Sequence, residues 1–115
     1  GIPSEPEGGR RLEPPRCASC GAAVRPGVVW FGESLPQAAW LRSQRAVEDC
    51  ELLLTVGTSG LVHPAAGLPA LARRAGATVV VVNPEPSALD AVAHHVLRGP
   101  AGEQLPALLA AAFGD

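Results

Sequence analysis

The stretch Leu52-Leu53-Leu54-Thr55-Val56 decides the fold together with a second stretch, Thr78-Val79-Val80-Val81-Val82. Each is a short β-prone run that ends at a turn-forming residue, Gly57 or Asn83, which is typical of a strand. Neither run alternates between polar and apolar side chains. Strands of this kind are buried on both faces, in a parallel sheet that helices cover. We therefore predict two adjacent, parallel and almost completely buried strands.

The segment between the two predicted strands has a helical pattern. Its apolar residues from Leu68 to Ala75 recur at helical spacing, Pro69 fits a first turn, and Gly76 is a typical helix stop. A strand, a helix and a parallel strand form a β-α-β unit, whose crossover is right-handed in nearly all proteins. The pattern predicts an α/β fold.

Shorter elements are predicted around this unit. Ser34 and Gln37 have the spacing of a capping box, so a helix should run over residues 36–48. A short helix near residues 87–93, a short strand at Val96-Leu97 and a final helix over residues 105–113 should follow. Earlier in the chain, Val28-Val29-Trp30-Phe31 is a β-prone run, in which Trp30 also fits a core position.

The composition is that of one compact domain. The 115 residues are 47% hydrophobic and carry a formal net charge of -2, so the chain can form a core and has no excess of basic charge for nucleic acid. No apolar run approaches the roughly 20 residues that cross a bilayer, and residues 1–11 contain no signal-peptide core. We predict a cytoplasmic protein with no nucleic-acid or membrane partner. The absence of Met suggests a piece of a longer protein.

Polar residues and glycines follow both predicted strands, as Gly57-Thr58-Ser59-Gly60 and Asn83-Pro84-Glu85. In an open parallel sheet, ligands bind beyond the carboxyl ends of the strands. The glycines let a ligand approach the backbone, and the polar side chains could bond to ribose or phosphate oxygens. Ordinary turns would also explain both segments. The Gly-x-Gly-x-x-Gly fingerprint is absent, so a pyrophosphate-binding turn would lie outside this chain.

The cysteines indicate half of a metal site. Cys17 and Cys20 have the C-x2-C spacing of two zinc ligands, whereas a structural zinc site needs four. The sequence has no second pair and its histidines lie far away, so free thiols or a redox turn remain alternatives. Cys50 precedes a predicted strand and should be a packed thiol rather than a ligand.

Together these motifs resemble the sirtuin family of NAD-dependent protein deacylases. The resemblance runs over residues 16–109 and rests on the order and spacing of several segments. They are Cys17-Ala18-Ser19-Cys20-Gly21, Val24-Arg25-Pro26, Val28-Val29-Trp30-Phe31-Gly32-Glu33, Gly57-Thr58-Ser59-Gly60-Leu61-Val62-His63-Pro64-Ala65-Ala66, Asn83-Pro84-Glu85 and Gly99-Pro100-Ala101. The third segment is most similar to the bacterial and mitochondrial desuccinylase-like class.

The resemblance implies the C-terminal half of a Rossmann-like parallel sheet over residues 28–115, preceded at residues 1–27 by part of a small zinc-binding module. It implies NAD and zinc as cofactors and an acyl-lysine protein or peptide as substrate. Members of the family transfer the acyl group from lysine to ADP-ribose and release nicotinamide.

The resemblance also assigns residues to these ligands. The NAD-binding residues would be Gly57, Thr58, Ser59, Asn83, Pro84, Glu85 and Ala101, and the zinc ligands Cys17 and Cys20. The acylated peptide would add a strand between two flanking segments and contact mainly their main chain. The flanking residues would be Val28, Phe31, Gly32 and Glu33 on one side and Gly60, Leu61 and Val62 on the other.

Several family motifs have no counterpart in this sequence. They are the pyrophosphate turn, the nicotinamide pocket, the catalytic histidine, the first cysteine pair and the Tyr-x-x-Arg pair that selects acidic acyl groups. All precede the zinc pair in family order, so the resemblance implies a C-terminal part with no catalytic residue, inactive alone. Two other hypotheses remain: a non-catalytic nucleotide or ADP-ribose-binding module, and a partial gene product without independent function.

Overall fold

The computed structural model describes residues 13–114. Internal contacts divide the chain between Ser34 and Leu35 into two compact units. The first unit contains a small antiparallel bridge between Arg16 and Ala23. The second unit contains the helices and strands that follow. The predicted domain boundary after residue 27 remains a prediction.

The second unit is built on a three-stranded parallel sheet. Its strands are β1 (Leu52–Val56), β2 (Thr78–Val82) and β3 (His95–Leu97), in the spatial order β1-β2-β3. Leu53 pairs with Val79 in the β1–β2 ladder, and Val81 pairs with Val96 in the β2–β3 ladder. The predicted adjacency and parallel direction of β1 and β2 are confirmed.

Three α-helices accompany the sheet: α1 (Gln37–Asp49), α2 (Leu68–Ala75) and α3 (Ala101–Phe113). Short 3-10 turns lie at Ala65–Gly67 and Ala88–Val92. Helix α2 ends as predicted at Gly76, whose φ of 105° is the left-handed conformation that closes many helices. Within residues 13–114, none of these helices is both long and apolar enough to span a bilayer.

The core lies where α1 and α2 pack on one face of β2. Val79 and Ala72 have no exposed surface, and Val47 and Ala77 are buried with them. Leu53, Leu68, Leu71 and Cys50 pack against this cluster. The predicted packing of Cys50 is confirmed, and its thiol donates to the Val47 carbonyl at 3.4 Å. Each fully buried valine stabilises the fold by roughly 1.5–3 kcal/mol.

The prediction that β1 is almost completely buried was wrong. Leu52, Leu54 and Val56 alternate with the half-buried Leu53 and Thr55, and Leu52 is 53% exposed. Successive strand residues point to opposite faces, so Leu53 lies on the face that α1 and α2 cover and its neighbours lie on the other. In the part of the chain that the structure describes, β1 is an edge strand and its side chains on that second face are only partly covered, whereas Val80 and Val82 on the same face of β2 are buried.

Local details of two predicted helices were also wrong. Helix α1 begins after Pro36, and no side chain caps it, so the Ser34–Gln37 capping box does not form. Helix α3 begins at Ala101, four residues before the predicted start at residue 105, because the chain turns helical directly after the extended Pro100 and continues through Pro106.

The β-prone run Val28-Val29-Trp30-Phe31 is not a strand. A turn closes it instead, in which the Glu33 amide donates to the Trp30 carbonyl at 3.0 Å. Trp30 is 53% exposed, so its predicted core position was wrong too. Its ring lies beneath the Arg25 guanidinium, 4.4 Å from the centroid, and this contact takes the place of core packing.

His94 lies one residue before β3 and also pairs with β2. The His94 amide donates to the Val79 carbonyl at 2.7 Å, and the Val79 amide donates to Nδ1 of the His94 ring at 3.0 Å. A side-chain nitrogen therefore satisfies a backbone donor at the centre of the core. Buried backbone donors need such a partner.

Replacing His94 with Ala should destabilise the second unit by about 1–3 kcal/mol, because the Val79 amide loses its acceptor in a buried position. Urea unfolding would measure the loss, and amide exchange at Val79 should become faster. His95→Ala is the matched control. Both histidines are exposed, but it is the His94 ring that accepts from the Val79 amide, so removing the His95 ring should change stability by less than about 0.5 kcal/mol. Equal losses in both variants would contradict this role of His94.

Candidate functional site

A cleft of about 340 Å³ lies beyond the carboxyl ends of β1 and β2. Because Val56 pairs with Val82 in register, the loops that follow the two strands begin side by side. The first loop contributes Gly57, Thr58, Ser59 and Leu61, and the second contributes Asn83, Glu85, Pro86, Ser87 and Ala88. Ligands of open parallel sheets bind in this position.

Two hydrogen bonds join the loops on either side of the cleft. The Gly57 amide donates to the Val82 carbonyl at 2.9 Å, and the Asn83 side-chain amide donates to the Thr58 carbonyl, also at 2.9 Å. Asn83 thus holds the first loop with its NH2 group and keeps its Oδ1 atom to accept a bond from a ligand. The Thr58 hydroxyl accepts from the Gly60 amide at 3.3 Å, so its hydrogen remains available to a ligand oxygen.

Two glycines give the first loop its shape. Gly57 and Gly60 have φ values of 63° and 69°, which residues with a Cβ atom adopt only at a cost. A Cβ atom on Gly60 would lie 2.3 Å from Cγ of Leu89, whereas one on Gly57 would meet nothing within 4 Å. Leu89, in the 3-10 turn at Ala88–Val92, has only 4% of its surface exposed and supports the first loop.

A second, smaller pocket of about 180 Å³ lies on the other side of this loop. Thr58 lines both pockets. The remaining lining residues are Thr55, Gly60, Val62, Ala65, Ala66, Pro69 and Leu89. Two of the predicted substrate-binding residues, Gly60 and Val62, therefore face a pocket next to the main cleft.

Not every predicted cofactor residue lines the main cleft. Gly57, Thr58, Ser59, Asn83 and Glu85 do, whereas Pro84 and Ala101 are not part of its wall. Ala101 is the first residue of α3. It follows Gly99, whose amide donates to the Asn83 carbonyl at 3.5 Å, so the start of α3 is connected to the second loop.

Sequence reasoning missed the part of the wall that Pro86, Ser87 and Ala88 form. Ser87 opens the 3-10 turn at Ala88–Val92 as the N-cap of a reciprocal capping box with Asp90. The Ser-x-x-Asp spacing of these residues is a recognisable signal for such a cap. It could have placed Ser87 at a loop end, on the same side as Asn83.

The predicted substrate-binding residues of the first unit are exposed. Phe31 is 92% exposed, and Val28, Gly32 and Glu33 are exposed with it. The Glu33 carboxylate forms an ion pair with Arg25 at 3.0 Å and accepts the Trp30 amide at 3.0 Å. The Arg25 bond, and then the Trp30 amide, lower the pKa of Glu33 below its usual value. Glu33 thus holds the turn of this segment as an ionised carboxylate.

The predicted substrate-binding residues of the second unit are Gly60, Leu61 and Val62. Leu61 and Val62 are exposed, in contrast to the buried Leu89 that supports the loop. Large apolar side chains that contact no core are typical of surfaces that bind a partner.

Cys17 and Cys20 lie in one tight turn of the first unit. The Gly21 amide donates to the Cys17 carbonyl at 2.9 Å, and the Cys17 amide donates to the Ala22 carbonyl at 2.8 Å. Hydrogen bonds from the backbone of Cys20 and then of Ser19 lower the pKa of the Cys17 thiol. A turn that favours a thiolate suits a metal ligand.

The donor set for a metal is nevertheless incomplete in the described residues. No group of three or more His, Cys, Asp or Glu side chains in residues 13–114 could hold a metal ion. A structural zinc site takes four ligands. The two thiols fit one half of such a site, and nothing else in this part of the chain completes it.

The three histidines lie away from the cleft walls. Within the described residues, His94 bonds to β2 through its ring, His95 belongs to β3, and His63 is exposed. None of them lines either pocket beside the first loop.

Gly60→Ala should destabilise the second unit by more than Gly57→Ala. Both variants carry the cost of a positive φ, roughly 1–2 kcal/mol. Only Gly60→Ala also forces the new methyl group against Leu89, at a further cost of about 1–3 kcal/mol. Urea unfolding of the two variants side by side would measure the difference. Equal losses would show that Leu89 yields without cost and does not support the loop.

Comparison with known proteins assigns a family. The sequence pattern described as "Sir2 family" matches residues 4–64, which is more than half of the chain. An "NAD-dependent protein deacylase" of Methylococcus capsulatus (strain Bath) is 65% identical over 111 residues. The match covers 96% of this chain and 44% of that relative, so the chain spans less than half of the relative's length.

Solved structures agree with this assignment. A mutant Sir2 homologue in complex with ADP-ribose superposes with a TM-score of 0.78 at 40% identity, covering 88% of this chain and 41% of that one. A structure described as "Sir2 bound to acetylated peptide" gives a TM-score of 0.77 at 30% identity, covering 88% and 42%. The family pattern, the relatives and the parallel sheet with its covering helices lead to one conclusion. This chain belongs to the Sir2, or sirtuin, family and has its Rossmann-like fold.

Proposed function

We propose that this chain provides the adenosine-binding and peptide-flanking parts of an NAD-dependent protein-lysine deacylase. The observation that carries the proposal is the cleft beyond β1 and β2, where glycines and polar side chains from both loops converge. The names of the relatives and the ADP-ribose complex of the structural neighbour support it. The protein to which these residues contribute would act as an acyl transferase on lysine side chains.

The main cleft would hold the adenosine half of NAD. Thr58 and Ser59 would bind it through backbone amides and hydroxyl groups, and Gly57 would let it approach the backbone. Asn83 and Glu85 would bind ribose hydroxyls. Pro84 would shape the loop between them, and Ala101 would lie near the adenine. NAD, when bound, supplies the ADP-ribose group that accepts the acyl chain. The contribution of this chain is to bind and orient that group.

Two exposed segments would each bind an acylated peptide by strand addition. They are Val28, Phe31, Gly32 and Glu33 in the first unit and Gly60, Leu61 and Val62 in the second. Main-chain hydrogen bonds would carry most of the contacts, as in other cases of strand addition. The exposure of Phe31, Leu61 and Val62 supports this assignment.

We infer that the 115 residues alone have no deacylase activity. The reaction needs a base that activates a ribose hydroxyl, within hydrogen-bond distance of it. The positions of His63, His94 and His95 support this inference, because in the described residues none lies on the wall of the cleft. A cytoplasmic location stays a prediction from composition.

A nucleotide or ADP-ribose-binding module without chemistry is the second candidate. It is favoured by one observation: all residues that line the main cleft belong to the second unit. A binding site of this kind could retain its ligand without catalysis. The two candidates differ in what happens when the catalytic segment of a related deacylase is added.

The purified chain should release no nicotinamide above background from NAD with acetyl- or succinyl-lysine peptides. It should nevertheless bind ADP-ribose weakly, with amide shifts at the loops around the cleft in an NMR titration. Adding the N-terminal part of a related deacylase should restore turnover if the chain serves an enzyme, and should not if it is only a binding module. Robust deacylation by the 115 residues alone would contradict the proposed division of roles.

A pair of serine variants isolates the contribution of the cleft to binding. Ser59→Ala removes one hydroxyl from the wall and should weaken ADP-ribose binding roughly 2- to 10-fold, as expected for the loss of a hydrogen bond worth about 0.5–1.5 kcal/mol. Ser43→Ala is the control, because the Ser43 hydroxyl bonds to the Ala39 carbonyl within α1 and lies outside the main cleft. Equal effects would show that ADP-ribose does not bind in this cleft.

We also propose that Cys17 and Cys20 supply two ligands of a zinc site that other residues of the whole protein complete. With only two thiolates, the chain alone should hold zinc weakly, since water would fill the other positions. Metal analysis after gel filtration should give well below one zinc per chain, and Cys17→Ser should remove the remainder. Stoichiometric, chelator-resistant zinc would show that further ligands exist in the chain or that two chains share the metal.

A further inference from the structure

Arg98 lies immediately after β3 and contacts the second loop of the cleft from behind. Its Nη1 atom donates to the Glu85 carbonyl at 2.8 Å and to the Asn83 carbonyl at 3.5 Å. Its Nη2 atom forms an ion pair with the Asp90 carboxylate. One guanidinium thus contacts three points along residues 83–90.

Asp90 connects the same guanidinium to Ser87. The Ser87 amide donates to one Asp90 carboxylate oxygen at 3.4 Å, and the Ser87 hydroxyl lies 3.3 Å from the other. The bond from Arg98 lowers the pKa of Asp90, against a smaller opposing effect of burial. Asp90 is therefore an ionised carboxylate that fixes Ser87 at the mouth of the 3-10 turn.

Neither Arg98 nor Asp90 lines the cleft, whereas each residue they hold does. Asn83, Glu85 and Ser87 are all part of the cleft wall. Backbone bonds pair Asn83 with Leu97 and Gly99. Beyond Asn83, Pro84 and Pro86 lack amide donors, so backbone pairing holds only the start of the wall. The position of the wall therefore depends on bonds that come from outside the cleft.

We propose that Arg98 and Asp90 are positioning residues that hold the 83–88 wall in its nucleotide-binding conformation. The inference rests on the proposed function of the cleft. Their side chains are 40% and 26% exposed, and ion pairs at such positions contribute little to global stability. The pair should therefore affect ligand affinity much more than it affects unfolding.

Arg73 provides a matched control for Arg98. Its Nη1 atom donates to the Val92 and Ala93 carbonyls at 2.8 and 3.3 Å, at the other end of the same 3-10 turn. In both arginines the guanidinium thus donates to backbone carbonyls within residues 83–93. Only Arg98 holds residues that line the cleft.

The test compares ADP-ribose affinity and urea unfolding in five variants of the 115-residue chain. Arg98→Gln and Asp90→Asn should each weaken ADP-ribose binding by roughly 5- to 10-fold, and Arg73→Gln by less than about 2-fold, on the scale where 1.4 kcal/mol is tenfold. The double variant Arg98→Gln/Asp90→Asn should lose less affinity than the two single losses combined, because the ion pair is one contact that both single variants remove. Unfolding midpoints of the Arg98→Gln and Arg73→Gln variants should be similar.

Arg98→Lys should recover part of the affinity, since an ammonium group can keep one of the contacts of the guanidinium. If the unsubstituted chain binds ADP-ribose and Arg98→Gln binds it equally well, the inference is wrong while the proposed function stands. If Arg73→Gln weakens binding as much as Arg98→Gln does, the role of Arg98 is general stability and the inference is also wrong. If the unsubstituted chain shows no ADP-ribose binding, the proposed function fails and the inference fails with it.

Discussion

The burial of β2 is the constraint on which the rest of the second unit depends. Val79, Val81 and Val82 have almost no exposed surface, and the strand is paired on both sides. A strand that is apolar on both faces can exist only where helices or other strands exclude water from it. Once β2 is fixed, its parallel register with β1 places Gly57 beside Asn83. The location of the cleft is thus a consequence of core packing, before any ligand is considered.

The cleft itself is held by hydrogen bonds rather than by apolar contacts. Asn83 bonds to the first loop, and Arg98 and Asp90 hold the second. The buried Leu89 lies beside Gly60 and supports the first loop. This division lets the binding surface remain polar and open while the sheet beneath it stays dry. It also explains how loops rich in Gly and Pro keep a defined conformation beyond rigid strands.

The sequence predicted the strand-helix-strand pattern well, but it misplaced a helix cap, a helix start and a short strand. It also missed features that depend on distant residues. Helix α2, its stop at Gly76 and the adjacency of β1 and β2 follow from local patterns, and all were correct. An apolar run such as Leu52–Val56 does not reveal whether a cover exists on each of its faces, so the exposure of β1 was missed. Arg98 reaches Glu85 and Asn83 across 13 and 15 residues, and no spacing rule identifies such a contact. The site residues named from the resemblance were brought together at the cleft only in part, since Ala101 lies outside its wall.

The exposed apolar side chains of β1 have a consequence for the abundance of the protein in a cell. Leu52, Leu54 and Val56 form an apolar row along a strand whose outer edge is unpaired in the described residues. Chaperones and quality-control proteases bind such surfaces, because these surfaces are normally present only in incompletely folded chains. If these residues were synthesised without a partner that covers the row, chaperones and proteases would therefore bind them. The abundance of the protein would then depend on how fast that row is covered.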